Sequence, residues 1–228
     1  MNLKVIFLGF SLFFALLLAK AIHDESSLHP WEREVSLTAS PLVFSNFSAT
    51  RTFNDERDGQ EYPIVQIGDL NWMGKNLNFK TTGSSCFQHQ DEKCGLYGRL
   101  YSYSASRKAC PKGWRLPTHK EWKKLKKAGQ GNQAAPLVDG SRWDEENFQH
   151  GNNALGMNIL PAGRLDHYNH EGNDELFSQE GISSSFWLDD DFQHWHLRWG
   201  KSHTHKHGNL SSQHRGFSIR CVCESKAG

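Results

Sequence analysis

The chain has almost no charge surplus. Lys and Arg total 26 against 25 Asp and Glu, a formal charge of +1 over 228 residues. A nucleic-acid binder normally carries a basic excess, so the balance argues against that class. It argues equally against an acidic disordered tail. Long hydrophobic runs are also missing. Mean hydropathy is −0.66 and 37% of residues are hydrophobic, which does not describe a multi-span membrane protein. The longest apolar stretch, Val5 to Leu18, has 14 residues, short of the roughly 20 that a spanning helix needs. Catalytic signatures are absent too: there is no G-x-S-x-G, no H-E-x-x-H and no glycine-rich phosphate loop. No C-x2-C pair exists, so a thiolate zinc site is poorly supported.

Aromatic residues, in contrast, are plentiful. They make up 12% of the chain, with 8 Trp and 14 Phe, too many for a disordered sequence. The length fits one domain with a tail. Residues 1–21 read as a signal peptide: Lys4 supplies the positive start, Val5–Leu18 the apolar run, and Ala19-Lys20-Ala21 a small-x-small cleavage site. A lipoprotein signal would place Cys after the cleavage point, where Ile22 stands. The expected product is secreted or displayed at the cell surface, with no stable membrane span. Losing Lys4 and Lys20 takes its charge from +1 to −1.

Export gives the cysteines meaning. There are five, Cys86, Cys94, Cys110, Cys221 and Cys223, and an oxidising compartment favours disulfides over metal thiolates. The odd count leaves at least one thiol over. Spacing suggests a local Cys86–Cys94 loop and a long staple from Cys110 to the C-terminal strand. Cys221 and Cys223 share a strand face and compete for that staple.

Residues 22–50 read as a flexible leader in which Trp31, Val43, Phe44 and Phe47 are available for docking. Asn46-Phe47-Ser48 and Asn209-Leu210-Ser211 match the glycosylation tripeptide, a pattern that arises often by chance. The folded unit spans 51–224, and 225–228 is a tail. Asp55 to Gly59 is a turn, Glu61–Ile67 a strand, Gly68-Asp69 a turn and Leu70–Asn76 the partner strand. Residues 80–99 read as loop and Leu100–Ala109 as a short helix. Thr118 and Glu121 form a capping box that opens a helix stopped by Gly129. Trp122 and Leu125 face inward there, with Lys120, Lys123, Lys124, Lys126 and Lys127 outward. The second half is loop-rich with short apolar runs, the last being the strand Gly216–Val222. The pattern predicts an α+β domain.

These residues carry an ordered set of motifs. Thr52-Phe53-Asn54-Asp55-Glu56-Arg57-Asp58-Gly59-Gln60-Glu61-Tyr62 is followed by Trp72-Met73-Gly74-Lys75-Asn76-Leu77-Asn78 and Tyr97-Gly98-Arg99-Leu100-Tyr101. Then come Cys110-Pro111-Lys112-Gly113-Trp114-Arg115-Leu116-Pro117-Thr118, Leu160-Pro161-Ala162-Gly163 and Gly216-Phe217-Ser218-Ile219-Arg220-Cys221-Val222. The set closely resembles the Fibrobacter succinogenes major paralogous domain over residues 51–224. The resemblance implies an exported bacterial protein and a C-type-lectin-like fold: two short helices, a hairpin-rich antiparallel sheet and a long loop region. It also favours Cys110–Cys221 as the closing disulfide. Cys223 lies outside the family pattern and is the candidate free or intermolecular thiol.

Candidate contact residues depart from the motifs. Trp72, Trp114, Trp122 and Trp187 are expected in the core, each burying about 150–250 Å². Trp195 and Trp199 lie among His194, His196 and Arg198 and are read as an exposed aromatic platform for sugar rings or a protein partner. Asp189, Asp190 and Asp191 form an acidic loop weighed as a calcium site, although the Glu-Pro-Asn and Trp-Asn-Asp signatures of calcium-dependent sugar binding are absent. His203, His205 and His207 alternate along one strand face. They are weak metal candidates, because the three span about 13 Å. No cofactor is otherwise expected. Residues 107–127 hold nine Lys and Arg with one Glu, a patch suited to an anionic surface.

The resulting expectation is an exported bacterial binding or adhesion module. It would recognise an extracellular glycan or protein through its loop-rich C-terminal half, without nucleic acid. One alternative is a structural cell-envelope protein with no small ligand. Another is a cysteine-dependent oxidase-like enzyme, suggested by formylglycine-generating oxidases among lectin-like proteins and by the Cys221/Cys223 pair.

Overall fold

The structure is a computed structural model that describes residues 51–129, 135–144, 151–166, 176–198, 201–203 and 214–225. The Asp55–Gly59 turn folds β1 (Thr52–Asp55) onto β2 (Gln60–Ile67). Gly68-Asp69 then reverses the chain into β3 (Leu70–Met73). The Asp55 carboxylate holds the first turn by accepting from the Arg57 backbone N–H and guanidinium. Gly59 and Gly68 supply the positive φ at the two turns, 72° and 60°, which other residues adopt only at a cost. The partner strand stops at Met73, short of Asn76, because Asn76 and Leu77 turn to bond the C-terminal segment: the Leu77 N–H donates to the Ile219 carbonyl at 2.9 Å.

The region expected to be loop holds β4 (Ser84–Ser85) and a helix, α1 (Asp91–Tyr97). Asp91 and Glu92 occupy its first turn, where negative charge suits the exposed N–H groups. Leu100-Tyr101 is strand β5 rather than helix, pairing with β4 and bridging Phe217. Helix α2 (Tyr103–Ala109) starts only after the Ser102 cap. Helix α3 (His119–Ala128) follows the expected pattern. Its Thr118–Glu121 capping box is complete, and Trp122 and Leu125 are its buried residues. Described helices therefore number three, not two.

The later strands are β6 (Ala162–Asp166), β7 (Leu176–Glu180), β8 (Ser183–Trp187), β9 (His194–Arg198), β10 (Lys201–His203), β11 (Arg215–Gly216) and β12 (Val222–Glu224). One sheet runs β1-β2-β3-β12. A second runs β10-β9-β8-β6-β11, with β7 on β6. Pairing is antiparallel except between β6 and β8. The expected strand Gly216–Val222 is split. Phe217 and Ser218 bridge to Tyr101 and Phe186, and regular pairing resumes only at Val222, against Trp72.

Alternation of side chains across a strand separates the two largest of the four apolar clusters in the described core. Trp72, Phe186 and Val222 join α3's Trp122 and Leu125 in one cluster. Their neighbours Met73, Trp187 and Cys221 enter a second cluster with Tyr62, Tyr101 and Phe217. These strands bury both faces, which explains why Leu70–Met73 and Ser183–Trp187 are buried at every position. Trp114 is only partly buried, packed 5.0 Å from Phe53. Disulfides Cys86–Cys94 and Cys110–Cys221 close the unit.

Candidate functional site

Trp195 is not part of an exposed aromatic platform. Trp195 is fully buried and stacks on Trp122, with ring centroids 5.4 Å apart and planes 15° apart. The reason is strand period: Trp195 and Leu197 point into the core from β9, opposite Phe186 and Ser184 of β8. His194, on the other face, is buried beside Phe217 at 4.4 Å and Trp187 at 6.5 Å. His196 stacks on it at 5.9 Å. Trp199, His205 and His207 lie outside the described residues. His203 is in β10, in backbone register with His196. Among the described residues no three His, Cys, Asp or Glu converge as a metal set.

The three aspartates face three different tasks. Asp189 pairs with Arg107 at 2.7 Å. Asp190 Oδ2 accepts the His119 backbone N–H at 2.9 Å, placing a carboxylate on the first turn of α3 where the helix dipole favours it. Asp191 accepts a long 3.4 Å bond from the Tyr103 hydroxyl. The loop is thus a clasp over α2 and the start of α3, not a cage of oxygens around one calcium.

Polar groups do gather elsewhere. A small cleft of about 130 Å³ is lined by Lys75, Asn76 and Asn78, by residues 94–98 at the end of α1, by Asn158 and Leu160, and by Gln60 and Arg220. Its walls approach so closely because of Gly98. That residue has φ of 72°, and a Cβ on it would sit 2.7 Å from the Leu77 carbonyl oxygen and 2.8 Å from Asn76 Cβ. Asn76 Nδ2 donates to the Tyr97 carbonyl at 2.8 Å and to Ser218 at 3.3 Å. The Cys86–Cys94 disulfide fixes α1 from the other side.

Arg220 is the centre of this arrangement. It is 1% exposed, and its guanidinium meets only neutral oxygens. Nε donates to Asn76 Oδ1 at 2.6 Å. The Nη atoms donate to the carbonyls of Met73 at 3.0 Å, Met157, and Asn158 at 3.1 Å. Burial alone pushes its pKa down to about 9. Lys75 lines the same cleft, with Nζ 5.1 Å from the Tyr62 ring centroid. The Asn78 backbone N–H donates to Tyr62 Oη at 3.0 Å, while its buried Oδ1 has no partner among the described residues. The lining holds two cations and four side-chain amides but no carboxylate. Of the acids near by, Asp55 is paired with Arg57 and Glu180 with Lys93, while the Asp58 carboxylate accepts from the Gln60 backbone N–H at 3.1 Å beside the lining.

None of these residues stood among the sequence-based candidates. Asn76, Asn78, Tyr97-Gly98 and Arg220 were part of the motifs and so read as scaffold. The available signal was the misfit of polarity: an arginine between Ile219 and Cys221, and two asparagines flanking Leu77, in stretches otherwise built to be buried.

Cys223 is the free cysteine of the described region. It is half-buried on β12, with Asn71 Nδ2 3.8 Å from its sulfur. Burial pushes its thiol up from the ordinary value.

The architecture is that of a disulfide-closed α+β domain whose polar hub is assembled from its motifs. The family model of the Fibrobacter succinogenes major domain matches residues 65–223, and the chain belongs to that family. No curated protein and no solved structure matches it.

Proposed function

We propose that this chain is an exported binding module of C-type-lectin-like architecture that captures an extracellular glycan in the Lys75–Asn78/Gly98/Arg220 cleft. The carrying observation is the cleft's chemistry. Side-chain amides from Gln60, Asn76, Asn78 and Asn158, the body of Tyr97 and two cations share one concave wall. Amides suit sugar hydroxyls, because each carries a donor pair and an acceptor; Asn76 spends its own on Tyr97, Ser218 and Arg220, which leaves Gln60, Asn78 and Asn158 for a ligand. Asn78 Oδ1 is a buried acceptor with no partner among the described residues, and buried acceptors are normally paired. The two disulfides support export, since they persist in oxidising compartments. The signal peptide at 1–21 supplies the route, and the secreted or surface location follows from it.

A glycan array probed with the full chain tests this reading. Retention of a defined glycan, lost on Asn78→Ala, is the expected result. An array negative at every position favours the structural cell-envelope role. That role draws support from the clasp made by Asp189–Asp191 and from the burial of Trp195, which turn former contact candidates into scaffold. The oxidase-like alternative loses its motivation, because Cys221 is bonded to Cys110 and Cys223 has no second thiol beside it among the described residues.

A further inference from the structure

We infer that the group seated in this cleft is a carboxylate, so that the ligand is an acidic saccharide rather than a neutral one. The inference rests on the cleft reading above and names the ligand class for it. A buried cation is stable only when its charge is answered. In this fold Arg220 is answered by three carbonyls and one amide oxygen, with no anion. Lys75 adds a second positive charge on the same wall, and no acid lines it. Carbonyl dipoles satisfy the hydrogen bonds of a guanidinium but leave its net charge. Among the described residues the lining thus carries two positive charges and no carboxylate, with Asp58 beside it on the Gln60 backbone, in a partly desolvated place where charge acts more strongly than at an open surface. A neutral sugar would use the amides alone. A sugar carboxylate would use the amides and also take the Lys75 ammonium as a charge-assisted partner, with Arg220 beneath as a fixed field.

The basic face of α3 is the competing explanation for any polyanion binding. Lys120, Lys123, Lys124 and Lys127 are exposed there, and the test has to separate the two. Oligogalacturonate and its methyl ester share every ring and hydroxyl arrangement and differ only at the carboxyl group, an anion in one and a neutral methyl ester in the other. Both are titrated into the full chain by calorimetry at low and at high salt. Binding of the acid about tenfold tighter than the ester, with the gap narrowing in salt and closing in Lys75→Gln, is the expected result. Asn78→Asp, which puts a negative charge on the wall, should abolish acid binding while leaving the fold intact by circular dichroism.

Equal binding of acid and ester would overturn the carboxylate inference and leave the cleft reading in place. Acid binding that ignores Lys75→Gln and Asn78→Asp but vanishes in the Lys123→Glu/Lys127→Glu double variant would put the site on α3 and overturn it as well. No binding of either oligomer, together with a negative glycan array, would remove the cleft reading itself.

Discussion

Arg220 Nε donates to Asn76 Oδ1 at 2.6 Å, joining two motifs 144 residues apart in the sequence. The same Asn76 reaches Tyr97 and Ser218 with its amide nitrogen. One amide and one guanidinium thus hold together the end of β3, the end of α1, the 157–158 turn and the C-terminal segment. Arg220→Leu would strip the donors from three carbonyls and from Asn76. We expect a loss of about 3 kcal/mol or more in urea denaturation. Arg220→Lys should recover only part of that loss, because an ammonium on a flexible stem does not reproduce the planar fork. A leucine variant within about 1 kcal/mol of the parent, the usual size of one neutral hydrogen bond, would show that the hub is not what holds these segments.

Trp195 should behave as a core residue. Trp195→Ala is expected to cost about 3–5 kcal/mol by cavity formation. Trp195→Phe should cost much less, since it keeps the ring stacked near Trp122. It also removes an indole N–H that has no acceptor among the described residues. Thermal denaturation followed by Trp fluorescence checks the order of the two. If the alanine variant is as stable as the parent, Trp195 is not in the core.

The two disulfides should differ in weight. Cys110 and Cys221 are 111 residues apart, and Cys86 and Cys94 are 8 apart. Chain entropy assigns about 4–5 kcal/mol to the first and about 2–3 to the second. Guanidinium titration of Cys110→Ser/Cys221→Ser against Cys86→Ser/Cys94→Ser measures the difference. A larger loss in the short-loop variant would contradict it.

Cys223 should be a slow thiol. Burial raises its pKa and the thiolate is the reactive form, so little thiolate is present at neutral pH. Ellman's reagent at pH 8 is expected to modify it more slowly than free cysteine. The rate should climb as the pH passes the ordinary thiol value. A rate matching free cysteine at pH 8 would mean that β12 does not shield the sulfur.

Acid should unfold the domain from a known starting point. Asp55 is held below the ordinary carboxylate range chiefly by its hydrogen bond from the Arg57 side chain. Burial pushes Glu121 upward, but the bonds from Arg115 and Thr118 outweigh it and the net shift is down. The Ser141 backbone N–H lowers Asp139. Each folded value lies below the ordinary 3.8 of Asp or 4.5 of Glu. Their stabilisation is therefore complete above those values and is lost as pH falls through the lower folded ones. Tm should stay level with respect to these groups from pH 7 to about 5 and decline below about 4. A Tm unchanged down to pH 2 would deny that the three carboxylates act this way.

The sequence was most readable where local chemistry decides the structure. Thr118, Glu121 and Gly129 set the limits of α3 by capping alone, and Gly59 and Gly68 set the two turns of the first sheet. It was least readable where distant partners decide. Leu100-Tyr101 has the look of a helix start but pairs with Ser84-Ser85 and Phe217. Helix α1 carries Gly95 and no apolar stripe, and it is held by a disulfide. The polar sequence around Trp195 suggested an exposed loop, but in a strand alternate residues part company, and Trp195 took the inner face. The cleft escaped notice because its residues look like scaffold one at a time. Their shared concavity exists only after β3, α1 and the C-terminal segment have met.

The register of β12 on β3 has a consequence in time. Asn71 meets Cys223 across 152 residues, so the first sheet lacks its edge until residues 222–224 have been made. At ordinary synthesis rates that interval is roughly 8–30 s. Trp72 waits through it without the Val222 that lies opposite. No half of this domain is finished early, because its first sheet gains its last strand only with residues 222–224.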